Sequence, residues 1–189
     1  MPVAALLLAA GAGRRMGTPK ALLGDPGGSW LQRGVDALRT GGCDPVLVVL
    51  GAAADQARGL VSGARTVVAP DWADGMGASL RAGLAACADL DADAAVISLV
   101  DLPDVDERVV ARVLGAVHEP RTALVRAVYQ GVPGHPVVIG RDHWDDAADV
   151  ARGDQGARAL FAVHDHTLVE CADLATGRDV DTPQEPARA

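Results

Sequence analysis

Short apolar runs alternate with helical patterns along this chain, and the alternation restricts the fold more than any other feature. Each run is bounded by Gly, Pro or Asp and has the length of a buried strand. Strands joined through helices require crossover connections, which predict an α/β Rossmann-like domain with a mostly parallel central sheet and helices on both faces. The predicted strands are Val3–Ala9, Val46–Leu50, 66–69 and 94–100, and the predicted helices are one capped by Ser29 that carries Leu31, Val35 and Leu38, then 54–61, 76–90 and 104–117.

The pattern changes after Pro120. The stretch "TALVRAVYQGVPGHPVVIG" predicts two strands joined by a Gly-Val-Pro-Gly turn, as a hairpin or edge excursion in the C-terminal half. A helix is predicted near Gln155, followed by a last strand at 167–171. The length of 189 residues suits one domain spanning residues 1–189. The apolar side of that last helix is predicted to carry Ala157, Leu160, Phe161 and Val163.

The composition and the cysteine count restrict which binding partners and which cellular compartment we expect. Apolar residues make up 49% of the chain and aromatic residues 3%, so the core must consist mainly of Ala, Val and Leu. The formal charge of −8 disfavours a nucleic-acid surface, and no apolar stretch approaches a membrane span. Three distant cysteines without metal-type spacing (Cys43, Cys87 and Cys171) indicate packing residues in a reducing compartment. Arginines follow the opening apolar run instead of preceding it, so we expect a cytoplasmic protein rather than a secreted one.

A glycine-rich turn follows the first strand, in "LAAGAGRRMGTPKALL", where open α/β proteins bind ligands. Neither named phosphate motif fits: the dinucleotide fingerprint lacks its third glycine, and the lysine has no Gly-Lys-Ser/Thr context. Amides of Gly11 and Gly13 can still point at phosphate oxygens, with Arg15 and Lys20 beside a phosphoryl group as negative charge builds on it. The simpler alternative is a tight turn with solvated charges. The position at the end of the strand favours a function.

These residues carry a family resemblance. The glycine turn resembles the signature loop of sugar-nucleotide and cofactor nucleotidyltransferases with a GT-A-like fold. The motifs "GMGASLRAGL", "YQGVPGHPVVIG", "GDQGAR" and "DVDTP" resemble the molybdenum cofactor cytidylyltransferase and guanylyltransferase branch, over residues 3–183. The resemblance implies transfer of NMP from an NTP to a phosphorylated acceptor, molybdopterin or its molybdenum form, with release of pyrophosphate. It further implies Mg²⁺, and a molybdoenzyme or its maturation chaperone as a partner.

Aspartates from two distant segments are candidates for the metal. Asp101 ends the fourth strand, and Asp179 and Asp181 lie in "DVDTP", so their oxygens can meet at one edge of the sheet and suit Mg²⁺. The resemblance makes Asp101 the metal-binding aspartate and Asp181 a second ligand. As alternatives, Asp101 caps the next helix, and Asp179 is a turn residue.

The resemblance assigns nucleobase recognition to Gly75 and Ser79 at a helix start, with backbone groups of Ala9 and Ala10. CTP is expected to be preferred, because no carboxylate is clearly assigned to the base wall, where Asp74 is the nearest candidate. A guanylyltransferase, a nucleotidyltransferase for another small phosphorylated acceptor, and a binding module without turnover are the alternatives.

Two further groups of polar residues are of types that can bind ligands. His135, Asp154 and Arg158 lie in motifs that recur on the acceptor side of the resembled branch, and are the candidate acceptor-binding residues. The sequence His164-Asp165-His166 has a spacing that can hold a metal on a strand. We interpret it instead as a solvated strand entrance.

Overall fold

The computed structural model describes residues 2–180, which form a sheet of seven strands covered by helices, with a separate two-stranded ribbon. The strands are β1 (Val3–Ala9), β2 (Gly24–Asp25), β3 (Gly28–Ser29), β4 (Val46–Leu50), β5 (Arg65–Val68), β6 (Ala94–Leu99), β7 (Leu124–Tyr129), β8 (Val132–Gly140) and β9 (Thr167–Glu170). The helices are α1 (Trp30–Thr40), α2 (Ala54–Ala57), α3 (Met76–Ala88), α4 (Glu107–Gly115), α5 (Trp144–Val150) and α6 (Arg158–Val163).

The strand order in the main sheet is β5-β4-β1-β6-β8-β7-β9. Strand β1 pairs in parallel with β4 and β6, and β4 pairs in parallel with β5. Only β8, among the described strands of this sheet, runs against its neighbours. The predicted mostly parallel α/β sheet is therefore confirmed. The carboxyl ends of β1, β4 and β6 consequently meet at one edge.

Side chains of the central strands point alternately into two hydrophobic cores, one on each face of the sheet. In β1, Ala5 and Leu7 pack with α1 and α4, whereas Leu6 and Leu8 pack with α3, α5 and α6. All seven residues of β1 are buried, as expected of a strand covered on both faces. The predicted cap of α1 is present, because Ser29 Oγ accepts a hydrogen bond from the Gln32 amide. No helix within residues 2–180 combines the length and apolar character that a membrane crossing requires.

The C-terminal hairpin corrects one sequence expectation. Its turn is Gln130-Gly131, with φ of 53° and 77°, and the Val-Pro-Gly that follows belongs to β8. Positive φ at both central residues is the type I′ geometry that joins two strands with the right twist. Strand β6 pairs only with the Val137–Gly140 part of β8, so Pro133 is tolerated where no strand lies on that side.

Three helix expectations also need adjustment. Val163 is 77% exposed, so it does not join Leu160 and Phe161 on the buried side of α6. The predicted helix at 54–61 is the short α2 followed by a 3₁₀ turn, Arg58–Leu60. Helix α4 begins after Asp106, whose side chain accepts hydrogen bonds from the Arg108 and Val109 amides and so fixes the start.

Candidate active site

A cleft of about 560 Å³ lies at the carboxyl ends of β1 and β6, at the edge where open α/β sheets bind ligands. The glycine turn after β1 forms one side, the start of α3 a second, and a C-terminal segment a third. The candidate residues from the sequence that line it are Ala9, Ala10, Gly11, Gly13, Arg15, Lys20, Gly75, Ser79, Asp101 and Asp154.

The glycine turn folds back on itself through Gly13. Its φ is +62°, and a Cβ at this position would overlap the Thr18 carbonyl, so a larger residue cannot keep this backbone. After this turn the chain passes through Pro19 into the 3₁₀ turn Lys20–Leu22. The fold-back is therefore what returns Lys20 to the end of the sheet.

Lys20 and Asp101 form an ion pair in the cleft. Lys20 Nζ donates to Asp101 Oδ2 at 2.7 Å, and the two side chains are 17% and 18% exposed. Lys20 is also the single lysine of the chain, since the other sixteen basic residues are arginines. The pair places one ammonium group directly beside a carboxylate at the end of β6.

The second oxygen of Asp101 is the strongest sign of a cation site. Asp101 Oδ1 is buried and has no hydrogen-bond partner among the described residues. A buried carboxylate oxygen without a partner is costly, and a bound cation would satisfy it. Asp179 lines the same cleft, because the Val180 amide donates to the Asp101 carbonyl at 3.0 Å and brings this segment back to the sheet. Hard carboxylate oxygens suit Mg²⁺ or Mn²⁺, and Asp181 lies outside the described residues.

The start of α3 offers polar groups at the far end of the cleft. Gly75 has φ of +102°, and no side chain caps the first turn of the helix. The amides of Met76 and Gly77 and the Ser79 side chain therefore lie at the positive end of the helix dipole, toward the cleft. Asp154 approaches from the other wall, because a Cβ added at Gly75 would lie 2.7 Å from Asp154 Oδ1. A carboxylate thus faces the segment to which base recognition was assigned.

His135 and Arg158 do not line this cleft; both are coupled electrostatically to the half-buried Arg126 of β7. Burial, together with the Arg126 charge, lowers the pKa of His135 from 6.5 to about 4. The pKa of Arg126 is lowered by burial and then by the Arg158 charge. Arg126 also lies over the Phe161 ring, and its Nε donates to the Gly134 carbonyl at 3.4 Å. This group is cationic through its two arginines, while His135 is neutral near pH 7.

The comparison with known families decides the classification. The model of the MobA-like NTP transferase domain matches residues 5–168. The chain belongs to the MobA-like NTP transferase family. The matched residues include the glycine turn, the start of α3 and the end of β6, which all line the cleft.

Two relatives that are similar over nearly the whole chain carry different names. Nicotine blue oxidoreductase of Paenarthrobacter nicotinovorans is 36% identical, with 98% of this chain and 95% of that protein covered. Molybdenum cofactor guanylyltransferase of Rhodobacter capsulatus is 32% identical, over 98% of this chain and 88% of that protein. The crystal structure of Rv0371c from Mycobacterium tuberculosis H37Rv is 30% identical, with a TM-score of 0.80, and covers 96% of this chain and 93% of that one. A structure of Rv0371c in complex with manganese is 27% identical, with a TM-score of 0.73 and coverage of 90% and 88%.

Two residues of this MobA-like site, Trp72 and Met76, were not predicted from the sequence; they line the cleft on either side of Gly75. No sequence signal marked them, because isolated apolar residues beside a glycine are more often core residues. Asp179, which the sequence offered either as a metal candidate or as a turn residue, lines the cleft near Asp101.

Proposed function

We propose that this protein transfers a nucleoside monophosphate from an NTP to the phosphate of a small acceptor and releases pyrophosphate. The observation that carries the proposal is the Lys20–Asp101 ion pair, which lines the same cleft as the glycine turn. In this pair, Asp101 Oδ1 is buried without a hydrogen-bond partner among the described residues. This arrangement offers a cation, amide donors and hard oxygen ligands within one cleft, which are the groups a triphosphate requires. The relative named molybdenum cofactor guanylyltransferase supports a molybdopterin-type acceptor.

In the proposed reaction, an oxygen of the acceptor phosphate attacks the α-phosphorus of the NTP. The bond from that phosphorus to the bridging oxygen breaks, and pyrophosphate leaves with the electron pair. An anionic phosphate nucleophile needs no general base, so the protein supplies position and charge neutralisation. Lys20 and Arg15 are proposed to contact the phosphates, and the amides of Gly11 and Gly13 to orient them.

A divalent ion, Mg²⁺ in this proposal, would supply further neutralisation of the phosphate charge when bound. Asp101 and Asp179 would hold it, with Asp181 as a further candidate ligand. In this arrangement Lys20 leaves Asp101 for a phosphate oxygen, because two cations compete for one carboxylate. The manganese complex of the related Rv0371c supports a divalent ion in this family.

For the base, we propose guanine over cytosine. The sequence favours cytosine only because no carboxylate is assigned to the base wall, and Asp154 Oδ1 beside Gly75 removes that premise. Guanine presents N1–H and N2–H₂ donors, which one carboxylate can accept together. Cytosine offers a single amino donor and would leave the carboxylate less satisfied.

For the acceptor, we propose the cationic group around Arg126. Arg126 and Arg158 can bind an anionic acceptor, and Arg126 is held in place by Phe161 and the Gly134 carbonyl. Neutral His135 is proposed to hydrogen-bond this acceptor rather than to supply charge. A molybdoenzyme or its maturation chaperone would then receive the product.

The 36% identical relative named nicotine blue oxidoreductase supports a second candidate, reduction of nicotine blue or a similar compound. Such a reaction needs a hydride or electron donor, for example a reduced nicotinamide dinucleotide. The glycine turn disfavours it, because Arg14, Arg15 and Met16 stand where the dinucleotide motif needs close approach of the helix. The cysteines disfavour thiol chemistry, since all three are buried and burial raises the pKa of Cys43 and Cys87 to about 12.

One set of assays separates the two candidates. The protein is incubated with Mg²⁺, molybdopterin and either GTP or CTP labelled at the α-phosphate, and pyrophosphate and labelled product are measured. In parallel, oxidation of NADH and NADPH is followed with nicotine blue as acceptor. We expect labelled product and pyrophosphate, both lost in Asp101→Asn and retained in Asp149→Asn, an exposed aspartate of α5. Nicotinamide oxidation without pyrophosphate would instead establish the oxidoreductase.

A further inference from the structure

Two histidines and an aspartate meet at a place that the proposed nucleotidyl transfer does not use. His143 precedes α5, Asp146 lies in its first turn, and His164 follows α6. One ligand atom from each of the three lies within 4.8 Å of the others. None of the three lines the cleft. The fold therefore gathers three metal-ligating side chains from two separate segments of the chain.

The orientation of His143 favours metal binding over a simple ring contact. Its Nε2 lies 3.2 Å from the Thr122 carbonyl oxygen, which can only accept, so Nε2 carries the proton and donates. The lone pair is then on Nδ1. Histidines that bind metals are typically fixed in this way, with the second ring nitrogen donating to a carbonyl or carboxylate.

The other two side chains can adjust to an ion. The His143 and His164 rings meet edge to face, with centroids 5.2 Å apart. The His164 backbone is anchored to α6, because its amide donates to the Leu160 carbonyl at 3.2 Å. Asp146 is exposed and can rotate toward the histidines at little cost. Zinc bonds of about 2.0–2.1 Å place tetrahedral ligands roughly 3.4 Å apart. Because the three ligand atoms lie within 4.8 Å of one another, each separation must shorten by at most about 1.4 Å.

We propose that His143, Asp146 and His164 form a binding site for a borderline divalent transition metal ion, with Zn²⁺ as the expected occupant. Imidazole nitrogens select such ions over Mg²⁺ and Ca²⁺, which prefer oxygen. The segment is rich in carboxylates, since Asp142, Asp145 and Asp149 surround Asp146 in sequence. Among residues 2–180, Asp142 is the one of these that pairs with a cation, accepting from Arg121 at 2.6 Å. The remaining negative charge attracts a cation.

The site differs chemically from the aspartates of the cleft. Those offer only oxygen, whereas this cluster offers two nitrogens and one oxygen, with a fourth position left to water. An ion here would join the start of α5 to the end of α6. The segment between these helices carries Asp154 to the cleft, so the ion would also restrain that wall.

The proposal is tested with Zn²⁺ alone on the full chain at about pH 7.5. Binding is measured by competition with a chromophoric zinc chelator in excess Mg²⁺, and Tm is followed with and without Zn²⁺. The test variants are Asp146→Asn and His164→Gln. His118→Gln and His166→Gln are matched histidine controls, and Asp101→Asn removes the candidate metal-binding carboxylate of the cleft. Asp146 is exposed, so its variant is expected to fold even if His164→Gln does not.

We expect one Zn²⁺ per chain and a rise in Tm, with affinity at least about tenfold weaker in Asp146→Asn and His164→Gln. His118→Gln, His166→Gln and Asp101→Asn should keep wild-type affinity. Co²⁺ in place of Zn²⁺ should give the visible absorption of a four-coordinate ion. Loss of binding in Asp101→Asn alone would assign the ion to the cleft and overturn the proposal. Loss in His166→Gln would assign it to the His164-Asp165-His166 stretch, and absence of stoichiometric binding would also overturn it.

Discussion

At the scale of single residues, Lys20 is the side chain from which we expect the largest effect on turnover. Lys20→Met keeps the length of the side chain but removes the charge that we propose neutralises the phosphates. Turnover should fall by about 10²-fold or more, because a positioned charge acts mainly in the transition state. Pyrophosphate release measures the effect.

The matched control is Arg65→Met, which removes an exposed charge from the edge strand β5. Because Lys20 is the single lysine, a protein labelled only at lysine Cε gives one side-chain NMR signal. That signal should shift when the NTP binds. Unchanged turnover in Lys20→Met, or an NMR signal that does not shift at saturating NTP, would contradict the proposed contact of Lys20 with the phosphates.

His135 predicts how stability depends on pH. Burial and the Arg126 charge lower its pKa from 6.5 to about 4. Between about pH 6.5 and pH 4, His135 is therefore protonated in the unfolded chain but neutral in the folded chain. The stability from this residue is complete above pH 6.5 and is lost as the pH falls toward 4. Urea unfolding across this range should show a slope of one proton that His135→Gln abolishes and His118→Gln retains.

Among the elements, the β7–β8 hairpin shows what local sequence can and cannot decide. The two strands follow from their apolar pattern, but Gly131 and Gly134 both offer a turn glycine. The choice between them depends on β6, which pairs with Val137–Gly140 and leaves Pro133 without a neighbour on that side. Glu170 then accepts from the Gln130 and Gly131 amides and fixes the turn from a distant strand. The sequence of the hairpin alone cannot predict this contact with Glu170.

The turn itself gives a test with two opposite outcomes. Gly131→Ala adds a methyl group into open space at φ +77°, so its cost is conformational only and should be about 1 kcal/mol. Gln130→Asn places the residue that type I′ turns prefer at φ +53° and should stabilise by a few tenths of a kcal/mol. Urea unfolding of both variants measures the changes. Equal destabilisation by both would contradict the assigned turn.

The same division applies to the site. Residues in the loops that follow β1 and β6, such as Gly13, Lys20 and Asp101, could be predicted, because a parallel sheet brings the ends of its strands together. Asp179 reaches the cleft through a segment without regular structure, and Asp154 through the three-residue 3₁₀ turn Gly153–Gln155, so no periodicity indicates the direction of either side chain. His164 is a similar case, since its neighbours in space, His143 and Asp146, are remote in sequence.

At the scale of the whole molecule, the cleft exists only when distant segments assemble. The glycine turn, the start of α3, the end of β6 and the segment carrying Asp179 each contribute one wall. A ligand that contacts all of them binds the folded chain and not the unfolded one. Nucleotide binding should therefore raise Tm in proportion to the logarithm of ligand concentration over Kd.

This linkage tests the base preference without an acceptor. With Mn²⁺ present, we expect GTP to raise Tm more than CTP does, because in the proposed pocket Asp154 would accept two donors from guanine and one from cytosine. One matched polar contact corresponds to roughly tenfold to a hundredfold in affinity. Asp154→Asn replaces one acceptor with a donor, so it should remove the GTP advantage and leave the shift with CTP nearly unchanged. A larger shift with CTP in the wild-type protein would return the assignment to cytosine, as the sequence alone favours. An equal loss with both nucleotides in Asp154→Asn would place Asp154 against the phosphates or the metal instead of the base.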